Sequence, residues 1–140
     1  RGGTQALPAI LGMAAAFDSA RVQDWAPVQR LRDRVEAVAK GIGARVAGEN
    51  VARLPNTSCL ILDGVAAQVQ LMTLDLAGFC VSAGSACSSG KVSSSHVLRA
   101  MGETEGAAQA IRVSLPWNVQ EDQVEAFCEA YEIMARRLRK

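Results

Sequence analysis

A short segment near the C-terminal end sets the strongest constraint on the fold. Apolar and polar side chains alternate strictly here, in the order Ile111, Arg112, Val113, Ser114, Leu115. Alternation with a period of two predicts a β-strand that buries one face and leaves the other face polar. The chain must therefore build a sheet with at least one covered face, and Arg112 lies on the polar side of it.

Helical and strand-like patterns alternate along the rest of the chain. Apolar spacings of three and four residues predict helices over residues 6–20, 25–42, 65–76, 97–101 and 124–138. Further strands are predicted over residues 44–48, 57–63 and 79–82. This order predicts an α/β fold of the α+β type, in which two helices precede a compact mixed sheet of about four strands with helices packed on it.

The charge and the apolar runs exclude two classes of partner. Fifteen basic and fourteen acidic side chains give a net charge of +1, so no strong field attracts nucleic acid or an anionic membrane. The longest apolar run, residues 7–17, is shorter than the roughly 18 residues that a membrane-spanning helix needs. We therefore expect no nucleic-acid partner and no membrane partner.

Four cysteines, Cys59, Cys80, Cys87 and Cys128, are spread along the chain. They form no CxxC pair and have no histidine at ligand spacing, so we predict no metal site. A chain that can bury a core does not need a disulfide framework, so reduced thiols and a cytoplasmic location are expected. Cys59, Cys80 and Cys128 occupy apolar strand or helix positions, and we expect them in the core.

Cys87 differs from the other three because of its surroundings. Seven serines and two glycines lie between residues 82 and 95, with Val92 as the one large apolar side chain. Such a segment cannot anchor itself by burial, so 82–95 is predicted to be a mobile loop. An exposed thiol in it suits a nucleophile or a sulfur carrier, and a flexible connection with an incidental cysteine is an equal alternative.

Several motifs together resemble a known family. "GSACSSG" is followed by "SSHVLRAMG" and then by "AIRVSL", while "RGGTQALPAILGMAAA" opens the chain and "LPNTSCLILDG" lies between. These segments resemble the C-terminal part of the NifS/IscS-like cysteine desulfurases of group I, in the class V aminotransferase family. The resemblance implies the C-terminal domain of a pyridoxal-phosphate (PLP) enzyme of fold type I.

The family's activity would be conversion of L-cysteine to L-alanine, with a persulfide for sulfur transfer, as in iron-sulfur cluster assembly. By resemblance, Cys87 is the nucleophile, Arg112 binds the substrate carboxylate and Thr4 contacts the cofactor phosphate of the neighbouring subunit. A guanidinium suits a bidentate carboxylate contact; the strand position alone favours a surface salt bridge or a snorkelling arginine, and the surrounding motif reverses that preference. Thr4 alone is also explained as a helix cap. A sulfur-acceptor protein and a homodimer of the full-length enzyme are the implied partners.

His96 is the one histidine of the chain, and a Cys87/His96 dyad is a possible arrangement. We favour a partly exposed helix residue instead, because His96 falls in the first turn of a predicted helix. Pro116 and Trp117 depart from the family, in which many members follow the arginine strand with Gly-Arg.

The lysine that binds the cofactor in this family has no counterpart here. The lysines are Lys40, Lys91 and Lys140, and none stands in the family's histidine-lysine motif. The chain opens without an initiator methionine, so we expect a fragment, with residues 1–22 contributed to the large domain or linker and 23–140 forming the small domain. Alone it should not turn over cysteine. A non-enzymatic thiol-relay module, or another class V enzyme such as a selenocysteine lyase or aminotransferase, remains an alternative.

Overall fold

A computed structural model describes residues 3, 5–21, 24–84 and 94–139. Within them lie five α-helices and one 3₁₀ turn, Gly106–Ala108. The helices are α1 Leu7–Arg21, α2 Ala26–Gly41, α3 Ala67–Leu76, α4 His96–Ala100 and α5 Glu121–Leu138. The two amphipathic helices, α2 and α5, pack against each other and bury one stripe each.

Four strands form one sheet in the order β1-β2-β4-β3. They are β1 Arg45–Val46, β2 Thr57–Ile61, β3 Ser82–Ala83 and β4 Ala110–Ser114. All three pairings are antiparallel, and β4 is an interior strand, with β2 on one side and β3 on the other. The strand that alternates most strictly in sequence is thus held by ladders along both edges.

The two faces of the sheet are covered differently. On one face the apolar side chains of β2 and β4, among them Leu60, Ile111 and Val113, join the main core with α2, α3 and α5. On the other face Ile61 and Ala110 form a smaller cluster with Leu98 of α4 and Ala107. Arg112 belongs to this second face, where helical cover is thin.

A buried ionic cluster fastens α2 to the segment before β2. Glu36 accepts hydrogen bonds from Arg53 Nη1 at 2.6 Å and Nη2 at 3.1 Å, and the hydroxyl of Ser58 donates to the same carboxylate. Arg32 donates to the carbonyl of Leu54 at 3.2 Å. Glu36 and Arg32 are each 6% exposed, so this cluster is part of the interior.

The predicted fold class is confirmed, and so are the alternation in β4 and the stripe of α5. Two details were wrong. The sheet was expected to be mixed, whereas the pairing in the described strands is antiparallel throughout. The strand predicted over residues 79–82 pairs instead at Ser82–Ala83, so Cys80 lies before the strand and is exposed rather than in the core.

Helix α1 stands apart from this packing. Every side chain from Leu7 to Ala20 is exposed, including Met13 and Phe17, each 70% exposed. None of the residues from Leu7 to Ala20 belongs to either core cluster. Among the described residues, no helix is both long enough and apolar enough to cross a membrane. The core is therefore built by the residues that follow α1.

Candidate functional site

The register of the sheet places two small side chains beside Arg112. Cys59 of β2 and Ser82 of β3 are both its Cα partners, one across each ladder. Directly opposed residues of antiparallel strands project to the same face of a sheet. Cys59, Arg112 and Ser82 therefore form a row across three strands on the thinly covered face.

This row forms the sheet side of a cavity of about 450 Å³. Helix α4 supplies the opposite side, with His96, Val97 and Leu98 among the lining residues. The described lining contains no aspartate and no glutamate. An arginine without an acidic neighbour in a largely apolar cavity favours an anionic ligand, and a carboxylate matches the guanidinium geometry.

Arg112 also differs from several other arginines in its ion pairing. Arg34, Arg45 and Arg53 each contact a carboxylate within 3 Å. Within the part of the chain that the structure describes, no carboxylate makes such a contact with Arg112. The alternative prediction was that Arg112 forms a surface ion pair. Among the described residues, no acidic side chain is placed to form that pair.

Cys59 is a neighbour that sequence reasoning assigned to the core. It is only half-buried and lines the cavity with Arg112. Burial raises the pKa of the Cys59 thiol, and the positive charge of Arg112 lowers it by less. The thiol is therefore neutral near pH 7 and leaves the charge of Arg112 uncompensated. The pairing register of β2 with β4, which sets Cys59 opposite Arg112, is the information that would have identified Cys59 as a site residue.

The α4 side of the cavity depends on a capped short helix. Ser95 Oγ accepts a hydrogen bond from the backbone N–H of Leu98 at 3.2 Å, which satisfies one free donor of the first turn. His96 follows this cap and is exposed, as predicted. The structure brings His96 and Arg112 to one cavity, a proximity that their separation in sequence does not reveal.

Two predicted site residues, Cys87 and Thr4, lie outside the described residues, as does most of the predicted loop 82–95. Of the three cysteines expected in the core, Cys128 is buried, where its pKa is raised to about 11, chiefly by burial. In the described part of the chain, no group of three His, Cys, Asp or Glu side chains is placed to hold a metal ion.

A family model matches most of the chain. The family model described as "Aminotransferase class-V" matches residues 1–127. The chain belongs to the class-V aminotransferase family. Members of this family generally depend on pyridoxal phosphate.

The relatives carry a more specific name. A cysteine desulfurase of Cereibacter sphaeroides is 46% identical over 118 residues, which are 82% of this chain and 30% of that protein. Another, of Nostoc sp., is 35% identical over 145 residues, covering 99% of this chain and 36% of that protein. The chain thus spans about a third of the length of the curated relatives that it matches.

Two solved structures share the fold of this chain. A NifS-like protein from Rickettsia africae ESF-5 superposes with a TM-score of 0.80 at 33% identity, over 97% of this chain and 36% of that protein. A second NifS-like protein gives a TM-score of 0.81 at 29% identity, with the same coverage. The likeness therefore extends over nearly all of the chain.

The described residues do not fit the family's cofactor. Covalent binding of pyridoxal phosphate requires a lysine amine. Lys40 is the one lysine among the described residues, and it forms an ion pair with Glu49 away from the cavity that contains Arg112. The cavity lining itself contains no lysine. These residues match a carboxylate-binding site, and they do not match a site that holds the cofactor.

Proposed function

We propose that this chain supplies the carboxylate-binding arginine and the sulfur-accepting thiol of a PLP-dependent cysteine desulfurase. The observation that carries the proposal is the placement of Arg112 in a cavity whose described lining has no acidic group. The names of the relatives support the reaction, which converts L-cysteine to L-alanine and a persulfide. The chain alone is expected to be inactive, because the described residues do not provide a cofactor site.

Arg112 would hold the substrate through its carboxylate. Two parallel N–H···O contacts fix both the position and the orientation of an amino acid, which a single point charge does not. Arg112 is exposed in this chain, so its guanidinium is accessible to such a ligand. With its carboxylate fixed, the thiol end of L-cysteine is held at a constant distance from β4.

Cys87 would then take the sulfur. Its thiolate attacks the sulfur of the substrate, so that an S–S bond forms while the bond between that sulfur and the β-carbon breaks. The electron pair of the broken bond stays on the β-carbon, which takes up a proton, and L-alanine leaves. The sulfur remains on Cys87 as a persulfide that a sulfur-acceptor protein can remove, in a reducing compartment such as the cytoplasm.

The remaining assignments belong to the same proposal. The cofactor would be bound mainly by a large domain, with Thr4 contacting the phosphate of the neighbouring subunit in a homodimer. Residues 1–22 would belong to that domain or its linker, and residues 23–140 would form the small domain with the cysteine loop 82–95. The exposure of α1 supports this division.

Replacing the thiol tests the sulfur-transfer step. In the complete gene product, Cys87→Ser should abolish persulfide formation while the cofactor absorbance is retained, because a hydroxyl cannot accept the sulfur. Protein-bound persulfide and alanine are measured together after addition of L-cysteine. Cys80→Ser is the matched control, since it removes an exposed thiol outside the cavity. Normal sulfur output from Cys87→Ser would rule out the nucleophile.

Replacing the guanidinium tests substrate binding. Arg112→Ala should weaken L-cysteine binding by about 1.5 to 3 kcal/mol, the range for a charged hydrogen-bonded contact. KM is measured in the complete gene product, with Arg136→Ala on the exposed side of α5 as the control arginine. An unchanged KM in Arg112→Ala would remove this residue from the site and with it the basis of the proposal.

The alternative activities are separated by the product. A thiol-relay module would pass sulfur between partners without making alanine from cysteine, whereas a desulfurase releases alanine in step with sulfur. A selenocysteine lyase would prefer the selenium analogue. Measuring alanine from both substrates, and recording cofactor absorbance for the chain alone and for the complete gene product, distinguishes these cases.

A further inference from the structure

We propose that Arg45 is a positioning residue for the substrate cavity and acts through helix α4. This inference rests on the proposed function. Arg45 lies on β1, at the edge of the sheet, and does not line the cavity that contains Arg112. Its influence would pass through Glu103, which follows α4 in the chain.

One guanidinium joins three parts of the fold. Arg45 donates from Nε and Nη2 to the two carboxylate oxygens of Asp63, at 3.0 and 2.9 Å, and from Nη1 to Glu103 at 2.6 Å. Asp63 lies just after β2, and Glu103 lies just after α4. The two carboxylates therefore hold the guanidinium in one orientation, and α4 is tied to the β1–β2 edge of the sheet.

Besides its link to Arg45, helix α4 is held by Leu98 in the smaller core cluster and by a hydrogen bond from the N–H of Ser95 to the carbonyl of Ala107. It is five residues long, and an isolated helix of this length is not stable in water. Leu98, 5% exposed, is its one buried residue. The backbone N–H of Glu103 donates to the carbonyl of Leu98 at 2.9 Å, so a restraint on Glu103 restrains the end of α4 directly.

The packing around Glu103 leaves it little freedom. A Cβ added to Gly106 would lie 2.9 Å from Oε2 of Glu103, 3.1 Å from Cγ2 of Ile61 and 3.3 Å from Nη2 of Arg45. The backbone N–H of Ala107 also donates to the carbonyl of Glu103 at 3.0 Å. The Glu103 carboxylate thus packs closely against Gly106 of the 3₁₀ turn and accepts a hydrogen bond from Arg45.

The position of α4 sets the shape of the cavity. His96, Val97 and Leu98 of the helix line it, opposite Cys59 and Arg112 on the sheet. A shift of α4 would change the separation of these two walls and the contact between a bound amino acid and Arg112. Neither Arg45 nor Glu103 lines the cavity, so their effect on the substrate would be indirect.

The expected effect is moderate because the cluster is partly solvated. The side chains of Arg45, Asp63 and Glu103 are 47%, 51% and 29% exposed. Water screens ion pairs at such exposure, and single pairs of this kind contribute at most about 1 kcal/mol. We therefore expect Arg45→Ala and Glu103→Gln each to raise KM for L-cysteine about two- to fivefold, with a smaller change in kcat.

The test uses the complete gene product and a double-mutant cycle. Arg45→Ala, Glu103→Gln and their combination are compared by KM and kcat, with Arg45→Lys as the conservative variant and Arg136→Ala as the control. If Arg45 acts through Glu103, the double variant raises KM no more than the larger single change, and Arg45→Lys restores part of the binding. Unchanged KM in both single variants, or additive effects, would overturn the inference.

Hydrogen exchange provides a readout that is independent of turnover. Loss of the tie should increase exchange of the amides from Leu98 to Glu103 in Arg45→Ala, while α2 and α5 keep their protection. Uniform loss of protection would show a purely structural role and contradict the proposal.

The KM measurements distinguish failure of this inference from failure of the proposed function. If Arg112→Ala raises KM and Arg45→Ala does not, only the positioning role is wrong, whereas an unchanged KM in Arg112→Ala refutes the proposed function.

Discussion

At position 59 a thiol lies directly across the β2–β4 ladder from Arg112. Burial keeps its pKa above the ordinary value, so the side chain carries no charge near pH 7. An acidic residue at the same position would face the guanidinium as a cross-strand ion pair. The neutral side chain at position 59 thus forms no ion pair with Arg112.

Cys59→Asp should therefore compete with the substrate. The introduced carboxylate would bind Arg112 internally, so KM for L-cysteine should rise about tenfold, as expected for loss of a charged hydrogen bond worth about 1.5 kcal/mol. Steady-state kinetics of the complete gene product measure this change. Cys59→Ser, which is similar in size and neutral, should leave KM within about a factor of two. Equal KM values for Asp and Ser at position 59 would show that this side chain does not reach the guanidinium.

The neighbours of Arg112 could be predicted from the sequence only in part. The alternation in β4 correctly predicted that Arg112 lies on the face opposite Ile111 and Val113, because alternation within one strand is enough to assign its side chains to faces. It did not reveal Cys59, because the register between two strands depends on both strands and on the packing of the core. Cys80 was misplaced for a related reason: the pairing with β4 begins only at Ser82.

At the scale of elements, the ionic cluster around Glu36 makes a pH-dependent contribution to stability. Burial raises the pKa of the Glu36 carboxyl, but hydrogen bonds from Arg53 and Ser58, with the charges of Arg53 and Arg32, lower it by more. The net pKa lies below the ordinary 4.5. A lowered folded-state pKa stabilises the fold above pH 4.5, and this contribution is lost as the pH falls through the lowered value.

Glu36→Gln should therefore reduce the free energy of unfolding at pH 7 by about 2 kcal/mol, because Arg53 and Arg32 lose a buried counter-charge. The difference between the two proteins should narrow as the pH is lowered below 4.5. Urea unfolding at several pH values measures both effects. The matched control is Glu125→Gln, which breaks an exposed pair with Arg34 and should have a much smaller effect. A difference that does not depend on pH would contradict this role.

The elements that could be predicted are those whose own sequence shows a periodic pattern of apolar residues. Helices α2 and α5 were located to within a few residues, because each buries one stripe of side chains. The two-residue strands β1 and β3 were predicted too long, because their ends are determined by the strands that they pair with. Antiparallel pairing could not be deduced for the same reason, since strand direction is a property of the assembled sheet.

At the scale of the whole molecule, the exposure of α1 predicts that the folded core does not depend on it. Deleting residues 1–22 should leave the midpoint of thermal unfolding within about 2 °C, because the side chains described in this segment, residues 3 and 5–20, are all exposed. Circular dichroism melting of the chain with and without this segment measures the change. Phe17→Ser in the intact chain is the control for the exposed apolar surface of α1. Loss of cooperative unfolding in the shortened chain would show that α1 is part of the core.

The interior location of β4 has a consequence for the energetics of recognition. Ladders on both edges fix the backbone of Arg112, so ligand capture need only order the torsions of one side chain. The entropy of arranging the main chain was already lost when the sheet formed. The backbone that carries the guanidinium is thus ordered before any encounter, whereas a surface loop would have to order both its main chain and its side chain at each binding event.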